Sequence, residues 1–181
     1  MRSPLLTRTR MSEAGVLPRR STSSEERVKL SDPAVNVMND FAREYPVAVE
    51  EDRQIDSALA DMIRLGVRAL LVMRERKIVG FITSYDIEGE RPLQSIQRLS
   101  YSYRKDIQVG DVMTSWVDLQ TLNWRAVKDA SVADLLEVFR ETDLMHLLVV
   151  ETAIDAATCV RGLFSRTRLE RQVGMLPAMT A

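Results

Sequence analysis

His146 and Cys159 are the single histidine and the single cysteine of this 181-residue chain. Metal clusters built from several such ligands are therefore excluded, and any Ser–His or Cys–His nucleophile would have to use His146. Cys159 has only Arg161 as a basic neighbour in sequence and is read as an inert thiol; a lone cysteine also forms no intrachain disulfide and suits a reducing cytoplasm. The remaining chemistry-bearing groups stand in two short runs. Thr83-Ser84-Tyr85-Asp86 offers hydroxyls and a carboxylate, whereas Ser165-Arg166-Thr167-Arg168 offers a hydroxyl and two guanidinium groups. A carboxylate accepts several hydrogen bonds at once; an arginine only donates. No paired acids, glycine-rich phosphate loop or nucleophile–base motif accompanies them, so the expectation is a protein that is not an enzyme.

The elements that hold these runs are written twice. In the first copy Val37-Met38-Asn39 precedes an amphipathic helix over 52–66, then Leu70-Leu71-Val72-Met73, then Ile78-Val79-Gly80-Phe81-Ile82-Thr83. In the second, Val112-Met113-Thr114 precedes a helix from Val132, then Leu147-Leu148-Val149-Val150, then Val160-Arg161-Gly162-Leu163-Phe164-Ser165. Ile55, Ala58, Leu59, Met62 and Ile63 recur at helical spacing on one face, Asp52 is the expected cap, and Gly66 offers a left-handed stop. An offset of 77 carries Leu59 onto Leu136 and Gly66 onto Asp143; after a hairpin five residues longer, an offset of 82 carries Gly80 onto Gly162 and Asp86 onto Arg168. Each copy is too small to close a core alone, so the pair is expected to pack as one α/β unit with pseudo-twofold symmetry and a cleft between halves. Strands are expected at 69–73 and 78–83, with Thr83-Ser84 capping a helix that starts near Tyr85.

Composition is that of a globular protein: 45% hydrophobic, 28% charged, net charge −1. Residues 1–30 carry a net +4 and the remainder −5, which disfavours a nucleic-acid surface. Tyr101 and Tyr103 among Arg98, Arg104 and Lys105 make too short a patch to reverse that expectation. Residues 1–30 read as a disordered basic tail with Met11 as an alternative start, and no apolar run approaches the ~20 residues that span a bilayer. The expected division is 31–90 for the first repeat, 91–107 for a linker with a short helix after Pro92, 108–174 for the second repeat and 175–181 for a tail.

The doubled order of Val-Met-Thr, apolar helix, Leu-Leu-Val-Val and Val-x-Gly-Phe-Ile-Thr-x-x-Asp resembles the CBS domain, and two in tandem resemble a Bateman module. The resemblance covers about residues 31–173. It implies a three-stranded sheet with two helices in each copy, a homodimer formed through helices, and a cleft that binds AMP, ADP, ATP or S-adenosylmethionine. It further implies that Thr83, Ser84 and Asp86 hold ribose and phosphate, Asp86 taking the ribose hydroxyls. Arg68 and His146, just ahead of the two apolar strands, become candidates for phosphate contact. The base is expected near the extended segments holding Tyr45-Pro46-Val47-Ala48 and Trp116. Arg168 stands where the second carboxylate should be, so Ser165, Arg166 and Arg168 form at most a second site based on phosphate. The implied function is a regulatory protein that senses an adenosine compound and signals to an unidentified effector protein. The alternative is a ligand-independent structural and dimerisation module, in which Thr83 and Asp86 are only a helix cap, Arg166 and Arg168 a solvated face, and His146 a structural residue.

Overall fold

The computed structural model describes residues 27–100, 103–152 and 158–175. The basic tail up to residue 26, Tyr101, and residues 176–181 lie outside the described residues.

Helix α1 (Ile55–Leu65) is amphipathic and ends at Gly66, whose φ of 68° lets its N–H reach back to the Ile63 carbonyl. Its N-cap is Gln54, not Asp52. Ile55, Ala58 and Met62 are buried, whereas Ile63, expected on the same face, is 71% exposed. The inner stripe is therefore narrower than the apolar periodicity suggests. Strands β3 (Ala69–Arg74) and β4 (Lys77–Thr83) form the hairpin that follows, with short β2 (Ala48–Glu50) parallel to β3. Helix α2 (Ser84–Glu88) leaves β4, and α3 (Arg91–Leu99) occupies the expected linker. The second half repeats the plan with α4 (Val109–Val112), β6 (Thr121–Asn123), α5 (Trp124–Asp129), α6 (Val132–Thr142), β7 (His146–Thr152), β8 (Thr158–Ser165) and α7 (Arg166–Gln172). Asp143, the counterpart of Gly66, holds the same left-handed conformation at φ 52°.

Ser131 begins α6 with a reciprocal cap. Its N–H and hydroxyl donate to Asp134 Oδ2 at 2.8 and 2.7 Å, and the Asp134 N–H donates back to Ser131 Oγ at 3.3 Å. These donors hold the Asp134 carboxyl below the usual carboxylate range. Ser131→Ala is expected to cost about 1 kcal/mol, read as a lower urea midpoint at unchanged slope.

Each sheet has four strands where three were expected. The fourth is lent by the other half: β1 (Asn39–Asp40) pairs antiparallel with β8, and β5 (Thr114–Ser115) pairs antiparallel with β4. The exchange reaches the cores. Ala34, Val37 and Met38 pack with Val132, Leu136, Phe139, Leu147, Phe164 and Leu169, while Ile107, Val109 and Val112 pack with Ile55, Met62, Leu70, Val72, Ile82 and Ile87. Alternation along the strands supplies a third contact. Leu70 and Val72 face the helices, whereas Leu71 and Phe81 turn to the opposite face and meet Leu148 and the half-buried Leu163 of the other sheet. Burying such side chains contributes roughly 1.5–3 kcal/mol each. Segments 91–100 and 103–107 are tied down as well: Arg104 donates to Asp56 Oδ1 and to the Ile87 carbonyl, both at 3.0 Å, and the buried Ser95 hydroxyl donates to the Asp111 carbonyl at 3.0 Å.

Candidate ligand site between the halves

The end of β4 and the start of α2 place Thr83 and Asp86 face to face. The Thr83 N–H and hydroxyl donate to Asp86 Oδ2 at 2.8 and 2.7 Å, and the Asp86 N–H returns to Thr83 Oγ1 at 3.3 Å. This is the same reciprocal cap that Ser131 and Asp134 make. Ser84 is buried, and its N–H donates to the Arg68 carbonyl at 2.9 Å, strapping α2 to the strand entry. The Arg68 side chain is exposed and has no hydrogen-bond or ion-pair partner among the described residues.

Asp86 is only 15% exposed and its second oxygen, Oδ1, lies 3.1 Å from Arg91 Nη1. That nitrogen also donates to the Val112 carbonyl at 2.8 Å and to Thr114 Oγ1 at 3.1 Å. Nη1 carries two hydrogens. With both engaged by Val112 and Thr114, the contact to Oδ1 is coulombic, and Oδ1 keeps acceptor capacity. In sequence Arg91 is only the first residue of the expected linker; its neighbours across the fold give it meaning.

From the second half, His146 at the start of β7 turns its ring edge-on to Phe81, with centroids 6.0 Å apart. Its Nδ1 is buried without a hydrogen-bond partner among the described residues. Burial pushes the imidazole pKa down to about 4, against a smaller upward pull from the Asp86 charge. The two halves thus bring Thr83, Asp86 and His146 to one place.

The second copy of the motif is arranged differently. The Arg166 N–H donates to the Met145 carbonyl at 2.9 Å, matching the Ser84 strap, but its side chain donates to Glu170 Oε1 at 2.9 Å and the Phe139 carbonyl at 3.3 Å. Arg168 donates to Asn39 Oδ1, so it pins the strand lent by the first half. Ser165 precedes α7 without a side-chain cap bond. Among the residues expected near a base, Tyr45 is 98% exposed and Val47 packs on the first core. A recess of about 230 Å³ lined by Asn123, Trp124, Arg125, Glu151 and Thr152 sits at the far end of β7, five residues along the strand from His146 and remote from Asp86.

Residues 37–90 match the family model of the CBS domain. No curated protein matches the sequence. Among solved structures, CBSX2 in complex with AMP is 23% identical, aligned over 77% of this chain and 94% of that one with a TM-score of 0.54. An uncharacterized conserved protein from Pyrococcus horikoshii is 21% identical over 85% of this chain and 100% of its own, with a TM-score of 0.56. A putative signal-transduction protein with CBS domains from Burkholderia ambifaria MC40-6 is 21% identical over 75% and 87%, with a TM-score of 0.54. At these identities the likeness is one of fold. Residues 37–90 are thus similar to the CBS domain, and the doubled hairpin-and-helix plan with the shared architecture gives the chain the fold of CBS-pair proteins.

Proposed function

We propose that this chain is a stand-alone regulatory module that senses an adenosine-containing ligand between its repeats, 31–90 and 108–174, and passes occupancy to a partner protein. AMP, ADP, ATP and S-adenosylmethionine are the candidate ligands, a cytoplasmic homodimer is the working assembly, and the role is regulatory rather than enzymatic. The observation that carries the reading is the hydrogen count at Asp86. Oδ2 is filled by Thr83, but Oδ1 faces a guanidinium whose nearest two hydrogens are already engaged. A carboxylate oxygen with acceptor capacity, held rigid and mostly buried, suits a pair of ribose hydroxyls. AMP in the CBSX2 structure adds support from a protein of like fold. No helix among the described residues is long and apolar enough to cross a membrane.

Isothermal calorimetry with the four ligands tests this. Binding is expected with at least one, and Asp86→Ala is expected to weaken it about tenfold or more, a lost charge-assisted hydrogen bond being of that order. The absence of heat with all four at millimolar concentration would overturn it. A second reading, the ligand-independent structural and dimerisation module, draws on the fact that Thr83 and Asp86 satisfy each other as a cap and Arg168 is committed to Asn39. It requires a partner retained equally with and without nucleotide. Light scattering at a strict 20.6 kDa would remove dimerisation from either reading.

A further inference from the structure

We infer that Arg91 is a specificity-determining residue of the Asp86 site, selecting ligands in which an anionic group accompanies the hydroxyl pair. The inference rests on the reading of Asp86 as a hydroxyl acceptor. Arg91 is held at one nitrogen only. Nη1 is pinned by the Val112 carbonyl and Thr114 Oγ1, both on the segment that the second half lends to the first sheet, and it stands 3.1 Å from the carboxylate. Nε and Nη2 have no partner among the described residues. Those two nitrogens form the side-on edge of the guanidinium, the edge that meets phosphate or carboxylate through two parallel N–H bonds. The side chain is 43% exposed, so an incoming anion can reach that edge.

Two physical consequences set Arg91 apart from a surface charge such as Arg68. Pinning Nη1 orients the edge before a ligand arrives, so less side-chain freedom is lost on binding. The Asp86 carboxylate beside it also sets a rule of charge: an uncharged hydroxyl pair suits Oδ1, and an anion placed against Oδ1 is repelled, so the anion belongs on the arginine side. Phosphate and carboxylate share this chemistry; the former is carried by adenine nucleotides and the latter by the amino-acid end of S-adenosylmethionine.

The experiment is calorimetry on the full chain with adenosine, AMP and S-adenosylmethionine, each against wild type, Arg91→Lys, Arg91→Met and Thr114→Val. For wild type, AMP or S-adenosylmethionine is expected to bind at least about tenfold tighter than adenosine; which of the two does so distinguishes phosphate from carboxylate. Arg91→Met is expected to erase that ratio, AMP and S-adenosylmethionine binding no tighter than adenosine. Arg91→Lys keeps the charge but lacks the two-pronged edge, and is expected to lose most of the ratio in a chain whose urea midpoint stays near wild type. Thr114→Val loosens the pin and is expected to give an intermediate ratio. An unchanged ratio in Arg91→Lys and Arg91→Met, with adenosine still bound and Asp86→Ala weakening all ligands, overturns this inference alone. Wild type binding none of the three overturns it together with the reading of Asp86.

Discussion

Acidification from pH 7 to pH 4 is expected to remove about 3 kcal/mol of folding stability through His146 alone. In the unfolded chain this imidazole takes up its proton near its ordinary pKa of 6.5, whereas in the folded chain burial holds it off until about 4. Between those values the unfolded state binds more protons, so stability is full above about pH 6.5 and falls as the pH drops towards 4. The ring is trapped where the halves meet, edge-on to Phe81 of the first half, and Nδ1 has no hydrogen-bond partner among the described residues, so a proton placed there would be buried without a hydrogen bond. Asp86 is the nearby charge that opposes the shift, and it is the smaller influence. The carboxyls of Glu51, Asp61 and Asp134 are all held low by their partners, Arg74, Arg64 and Ser131 respectively, so their contributions are lost only below the ordinary carboxylate range. Urea denaturation of wild type and His146→Leu at half-unit steps from pH 4 to 7.5 separates the two effects. The gap between the curves is expected to shift by about 3 kcal/mol across that interval. Parallel curves would show that His146 is solvated when folded.

Gly80→Ala and Gly162→Ala are each expected to cost about 2–3 kcal/mol, the price of forcing a methyl into a packed crossing. The two glycines occupy the same place in the two repeats, where each main sheet receives the two-residue strand from the other half. A Cβ on Gly80 would stand 2.7 Å from the Thr114 carbonyl oxygen and 2.5 Å from Met113 Sδ. On Gly162 it would stand 2.6 Å from the Asn39 carbonyl oxygen and 2.8 Å from Met38 Sδ. A methionine side chain can swing away, but the carbonyl belongs to backbone that is paired in the sheet. Relief therefore requires the lent strand to move off. Gly66→Ala is the control: nothing lies within 4 Å of its Cβ position, and the cost there comes only from the left-handed backbone, about 1 kcal/mol. Midpoints from urea titration give the comparison, and faster amide exchange at Asn39–Asp40 or Thr114–Ser115 should accompany the larger losses. Gly80→Ala or Gly162→Ala no more costly than Gly66→Ala would mean that the strand exchange is not a closely packed crossing.

The repeat itself was legible because it is made of long elements with strong periodicity. The offset of 77 that joins Gly66 to Asp143 also joins the two strand irregularities, at Val72/Met73 and at Val149/Val150. The capping chemistry of Thr83 and Asp86 could likewise be read locally, because every partner lies within three residues. What one strand lends to the other half could not be read. Asn39–Asp40 and Thr114–Ser115 are too short to show alternation, and their partners lie about 120 and 35 residues away along the chain. Arg168 illustrates the same limit: its charge suggested phosphate, but its partner is Asn39, 129 residues distant.

The sequence by itself determined the α/β plan, its duplication, the amphipathic helices and the Thr83 cap, because these follow from spacing and from residues that satisfy their neighbours. Tertiary structure alone decided that each half completes the other's sheet, that Arg91 stands between Asp86 and a segment from the second half, and that half-buried His146 packs edge-on against Phe81. Those outcomes depend on which distant groups meet once the chain closes on itself, and such meetings are set by packing and burial summed over the whole molecule.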